Sequence, residues 1–138
     1  MKGLRLLVAL GLAALAGCAT HASGEYSYFP DLARDVLAGD AQAFRQVLAQ
    51  AESTPPGDQL EELAELSSRF VRLNPAEFLR AQGTTNTCFG VSFMGPSHVD
   101  NPNAEAQERT MRRDALESVA DPSLSQVRQR CLAKLAGS

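Results

Sequence analysis

Apolar positions recur in two ways along this chain. Leu6 to Ala16 is an unbroken run of Leu, Val, Ala and Gly, whereas from Pro30 onward apolar residues return every third or fourth position between polar ones, the period of amphipathic helices. Pro30-Asp31 opens a first helix running to Ala38, with Leu32, Val36 and Leu37 inward and Gly39 as its stop. Asp40 is placed to cap a second helix, whose apolar set is Ala41, Phe44, Val47, Leu48 and Ala51. Ser53-Thr54-Pro55-Pro56-Gly57 then breaks the chain. From Asp58 a third helix carries Leu60, Leu63, Ala64, Leu66, Phe70, Val71 and Leu73, an apolar face wide enough to be buried between neighbours.

Asn74-Pro75 starts a short fourth helix to Gln82, with Phe78 and Leu79 inward. A fifth runs from about Asn103 to Ala120, with Met111, Ala115, Leu116 and Val119 as its core side. Glu105–Arg109, Glu108–Arg112 and Arg113–Glu117 ladder its other side, which reads as a solvated face. Asp121-Pro122 opens a sixth, with Leu124, Val127, Cys131 and Leu135 on one stripe. The pattern predicts an all-α fold of about six helices in three antiparallel hairpins over residues 30–138. The caps at Asp40, Asn74 and Asp121 are offset by 34 and then 47 residues. That arrangement loosely resembles HEAT-type helical repeats, in which hairpins stack into an array; a plain helical bundle accounts for it as well.

One stretch falls outside the helical period. Residues 83–102 form a long connection, and connections of this length are uncommon in a compact domain and usually functional or disordered. Phe89, Val91, Phe93 and Met94 argue for order, and the alternation of Phe89, Val91 and Phe93 permits a short extended segment. The plain account is that these side chains plug one end of the core; as a binding loop, its candidate residues are Phe89, Phe93, Met94 and His98. Ser92, Ser97, His98 and Asp100 supply the residue types of a hydrolase triad, but Gly90-Val91-Ser92-Phe93-Met94-Gly95 is one residue too long for a Gly-x-Ser-x-Gly nucleophile elbow. The cluster Glu61, Glu62 and Glu65 reads as solvated surface, and no catalytic set is assigned.

The amino-terminal run changes what the rest means. Lys2 and Arg5 precede eleven apolar residues, which suits the core of a secretory signal and falls short of the roughly 20 residues that cross a bilayer. Leu15-Ala16-Gly17-Cys18 resembles the lipobox of bacterial prolipoproteins; an ordinary signal cut at the same small residues is the alternative. The resemblance implies diacylglycerol on the Cys18 sulfur, cleavage before Cys18, and acylation of the freed amine. Two or three acyl chains hold a protein stably where one is marginal. In that family an Asp after the lipid-bearing Cys favours the inner membrane, so Ala19 points to the outer membrane, facing the periplasm. Residues 1–17 are then a removed signal, and residues 18–29 a lipidated tether ending in Tyr26, Tyr28 and Phe29.

Loss of Lys2 and Arg5 reduces 13 basic residues to 11 against 16 acidic ones, a net charge of −5. Such a domain lacks the basic footprint that nucleic acid requires. With Cys18 assigned to lipid, Cys88 and Cys131 remain, an even pair in an oxidising compartment and therefore an expected disulfide. Two thiols without His or carboxylates at ligand spacing make a poor zinc site, and no metal or cofactor is expected. The functional expectation is a non-enzymatic protein-binding module on the envelope membrane, an assembly component or an inhibitor or immunity protein. The alternative is an envelope hydrolase using His98 and a loop Ser.

Overall fold

The computed structural model describes residues 26–138, so the signal run, Cys18 and most of the tether lie outside the described residues. The fold is all-α, with no strand among the described residues. Its helices are α1 (Pro30–Leu37), α2 (Ala41–Ser53), α3 (Asp58–Leu73), α4 (Pro75–Gln82), α5 (Pro96–Val99), α6 (Pro102–Glu117) and α7 (Ser125–Ala136). Six of these lie where the apolar period places them. The one-turn α5 is additional, inside the long connection, and the expected start of the last helix is a 3-10 turn, Pro122–Leu124. No described helix is long and apolar enough to cross a membrane.

Caps set the helix starts. Asp40 accepts from the Ala43 amide at 2.6 Å, Asn74 from Glu77 at 3.4 Å, and Asn101 from Asn103 and Ala104 at 3.2 Å, each satisfying amides that a helix leaves without partners. Asn74 Nδ2 also donates to the Gly39 carbonyl at 3.3 Å, tying the α1–α2 corner to the α3–α4 corner. The helices pack in three layers: α1–α2 and α6–α7 each lie against α3–α4 and make no packing contact with one another among the described residues. The α3 helix therefore sits at the centre, as its wide apolar face anticipates. Phe44 stacks on Phe70 with ring centroids 4.2 Å apart and on Phe78 at 5.5 Å, filling the junction of α2, α3 and α4.

Several side chains depart from their expected sides. Leu37 and Leu73 end α1 and α3 and are 40% and 50% exposed, because each lies where its helix runs past the core. Phe29 packs on the core, while Tyr26 stays in solvent. The largest reversal is on α6: Met111 is exposed, whereas Glu108 and Arg112, expected in water, are 5% and 2% exposed. Glu108, Arg112 and Leu116 lie four residues apart on one stripe. That stripe faces α3 and the long connection, so the helix cannot bury Leu116 without burying the two charges.

Nor is the Phe89–Phe93 stretch extended. Residues 88–92 form successive turns, with Cys88 at φ 46° and Gly90 at φ 76°. A Cβ on Gly90 would stand 2.6 Å from Ser67 Cβ and 2.7 Å from the Ala64 carbonyl oxygen, so glycine is required by both conformation and space. Gly90→Ala is expected to destabilise the domain by about 2–3 kcal/mol, read by urea unfolding. An unchanged midpoint would show that this close approach is absent in solution.

Candidate functional site

The site is built around the 83–101 connection, whose backbone is held by polar side chains that the surrounding helices direct inward. From α4, the fully buried Gln82 donates through Nε2 to the Phe89 carbonyl at 3.0 Å and accepts the Phe89 amide at 3.1 Å. Ser67 of α3 donates to the same carbonyl at 2.5 Å. Arg112 of α6 donates to the Val91 carbonyl at 3.1 Å and the Phe93 carbonyl at 2.5 Å, and Lys134 of α7 reaches the Thr87 carbonyl at 2.6 Å. Cys88 and Cys131 are joined by a disulfide, with Cα atoms 5.3 Å apart, fastening the connection to α7 as the cysteine count anticipates. A buried backbone must find hydrogen-bond partners, and here four helices supply them.

The Arg112 guanidinium is neutralised in place. Its Nε donates to Glu108 Oε1 at 2.9 Å, and the other Glu108 oxygen accepts from Arg72 of α3 at 2.8 Å. Burial lowers the Arg112 pKa from its ordinary value, and the Glu108 carboxylate opposes that shift. Among the described residues the only fully buried side-chain polar atom without a partner is Arg130 Nε, which is no member of this network, so the network is satisfied.

The candidate loop residues divide accordingly. Phe89, Phe93 and Met94 are half-buried, Phe89 against the core and Phe93 along a cleft beside α3. Half-buried His98, on α5, lines a small cleft with Ser97, Arg72 and Glu108. Ser97 Oγ lies 3.2 Å from His98 Nδ1, and His98 Nε2 lies 4.0 Å from Glu108 Oε2, too far for a hydrogen bond. The three types of a Ser–His–acid relay thus stand in order, but the acid is already engaged by two guanidinium groups. Asp100 is exposed at the end of α5 and makes no ion pair or side-chain hydrogen bond among the described residues. No group of His, Cys, Asp or Glu among the described residues is arranged to hold a metal ion.

A second feature lies next to the connection. Glu62 accepts from the Tyr28 amide at 2.8 Å and the Phe29 amide at 3.4 Å, as well as from the Ser27 hydroxyl. One member of the acidic cluster therefore clamps the amino-terminal segment onto α3. Tyr26 and Tyr28, in edge-to-face contact with centroids 5.0 Å apart, then wall a cleft of about 390 Å³ with Asp58, Glu61, Leu37 and Phe93. Desolvation and the neighbouring Asp58 carboxylate raise the Tyr28 pKa above its ordinary value, keeping the hydroxyl protonated.

The residues that sequence reading missed are Ser67, Gln82, Glu108 and Arg112. Their signal is positional: each is a polar residue at helical spacing from core residues, Ser67 between Leu63 and Val71, Gln82 after Phe78 and Leu79, and Glu108 and Arg112 before Leu116. Comparison with family models, with curated proteins and with solved structures finds no match to this chain.

Proposed function

We propose that this chain is a bacterial envelope lipoprotein, anchored through lipid on Cys18 and facing the periplasm from the outer membrane, that acts as a non-enzymatic protein-binding module. The observation that carries the binding reading is the pinned 83–101 connection: four helices and a disulfide hold a long, partly exposed segment in one conformation. A surface ordered in advance loses less entropy when a partner arrives, and ordered connections of this length in a compact domain are usually functional. An envelope-assembly component and an inhibitor or immunity protein both fit.

Affinity capture from crosslinked, detergent-solubilised envelopes is expected to recover a reproducible partner with the wild-type chain. In the same cells, Cys18→Ala is expected to lose palmitate labelling and leave the membrane fraction. Reproducible failure to recover any partner counts against binding, and normal labelling of Cys18→Ala removes the anchor. The 3.2 Å approach of Ser97 Oγ to His98 Nδ1 favours a second reading, an envelope hydrolase. It requires an ester or cell-wall activity that His98→Ala abolishes without unfolding the domain.

A further inference from the structure

Four of the six large exposed hydrophobic residues among the described residues, Tyr26, Tyr28, Leu37 and Leu73, line two clefts that run together along α3. Leu37 and Arg69 belong to both clefts, so the surface is continuous from the tyrosine pair to the end of α3. Scattered exposed apolar side chains are ordinary on a protein surface, but a contiguous strip is a mark of an interaction site.

Charge decides what can occupy it. At the tyrosine end, Asp58 and Glu61 line the cleft and join no ion pair among the described residues. The cation there, Arg69, faces Glu65 at 3.7 Å, and Glu62 is engaged by backbone amides and the Ser27 hydroxyl and by no cation among the described residues. The end is therefore strongly negative, and an anionic occupant is repelled. Tyr26 is 81% exposed, and a tyrosine ring face attracts a cation within about 6 Å of its centroid. Aromatic faces beside unpaired carboxylates, continued by leucines, match a cation followed by apolar side chains.

We propose that this strip docks a short segment of a partner protein bearing Lys or Arg, its cation at Tyr26, Tyr28, Asp58 and Glu61 and its neighbouring apolar side chain at Leu37 and Leu73. The inference rests on the binding reading above and supplies the partner's chemistry. The Glu62 clamp that builds the cleft also places it where the amino-terminal segment joins the domain. If Cys18 carries lipid, the eight residues from there to Tyr26 span at most about 30 Å, which keeps the docked segment close to the membrane.

The test uses the full lipidated chain in detergent micelles and fluorescent peptides of alternating Leu and Lys, with Leu-Ser and Leu-Glu peptides as controls. Anisotropy is expected to show the Leu-Lys peptide binding at least about tenfold more tightly than either control, with affinity falling in high salt. The Asp58→Asn/Glu61→Gln double variant and Tyr26→Ala are each expected to weaken it by roughly three- to tenfold, with cooperative thermal unfolding retained and only a small drop in the double variant, which removes two charges from the first turn of α3. Equal binding of the Leu-Lys and Leu-Ser peptides, or full affinity in the double variant, overturns the proposal. So does binding of phosphatidylethanolamine vesicles in place of peptide, which assigns the cleft to a lipid amine. Envelope capture separates the two claims: a partner recovered equally by wild type and the double variant leaves the binding module standing and removes this docking strip.

Discussion

Arg112→Met is expected to lower the unfolding free energy by about 3–5 kcal/mol, the cost of breaking a buried ion pair by removing one member. The substitution keeps the length and apolar stem of the side chain but removes the charge that balances Glu108, leaving that carboxylate 5% exposed with only Arg72 to pair it. It also strips the carbonyls of Val91 and Phe93 of their donor. Urea unfolding measures the loss, and amide exchange should show residues 89–94 opening before α2 and α3. The Glu108→Met/Arg112→Met double variant is expected to lose less than the two single variants summed, since neither charge is then stranded. A single variant within about 1 kcal/mol of wild type would mean that the connection is held without Arg112.

Cleaving the Cys88–Cys131 bridge, by reduction or by Cys88→Ser with Cys131→Ser, is expected to remove about 4 kcal/mol. The bonded residues are 43 apart in sequence, and an open chain of that length regains considerable freedom when unfolded. Against a total of roughly 5–15 kcal/mol for a small domain, that loss brings the protein near its stability limit. The bridge also holds Cys88 at φ 46° beside Asn86 at φ 59°, conformations that ordinary side chains rarely adopt, so its loss should release the turn at the head of the connection. Comparing urea midpoints with and without reductant tests this, and coincident curves would show that the helices alone hold the domain.

The two effects bear on one feature, and they differ in how readable they were. The bridge is the pair expected by counting if Cys18 carries lipid, as the lipobox resemblance implies, and helical spacing turns Cys131 inward. Glu108 and Arg112 have the i,i+4 spacing of a surface pair and the residue types of one, and spacing alone cannot tell which side of α6 meets the protein. Met111 and Leu116 compete for that side. Leu116 wins because it aligns with Arg112, Glu108 and the carbonyls of the connection, groups that meet only after α3, α6 and residues 88–94 have assembled. Leu37 and Leu73 were misplaced for the converse reason: their helical register is apolar, but no neighbouring element reaches far enough to cover them.

Local chemistry in the sequence determined six of the seven described helices, the caps at Asp40 and Asn74, and the breaks at Gly39 and at Pro55-Pro56-Gly57, and it made Cys88 and Cys131 the expected pair if the lipobox resemblance sets Cys18 aside. Each of these depends on residues within a turn of one another or on the number of cysteines. Tertiary structure alone decided which helices cover the two sides of α3, that a charged stripe of α6 is buried, and that Tyr26 and Tyr28 are brought beside Asp58 by Glu62. Those outcomes depend on which distant backbone groups require hydrogen-bond partners once water is excluded, and that demand appears only when the chain is packed.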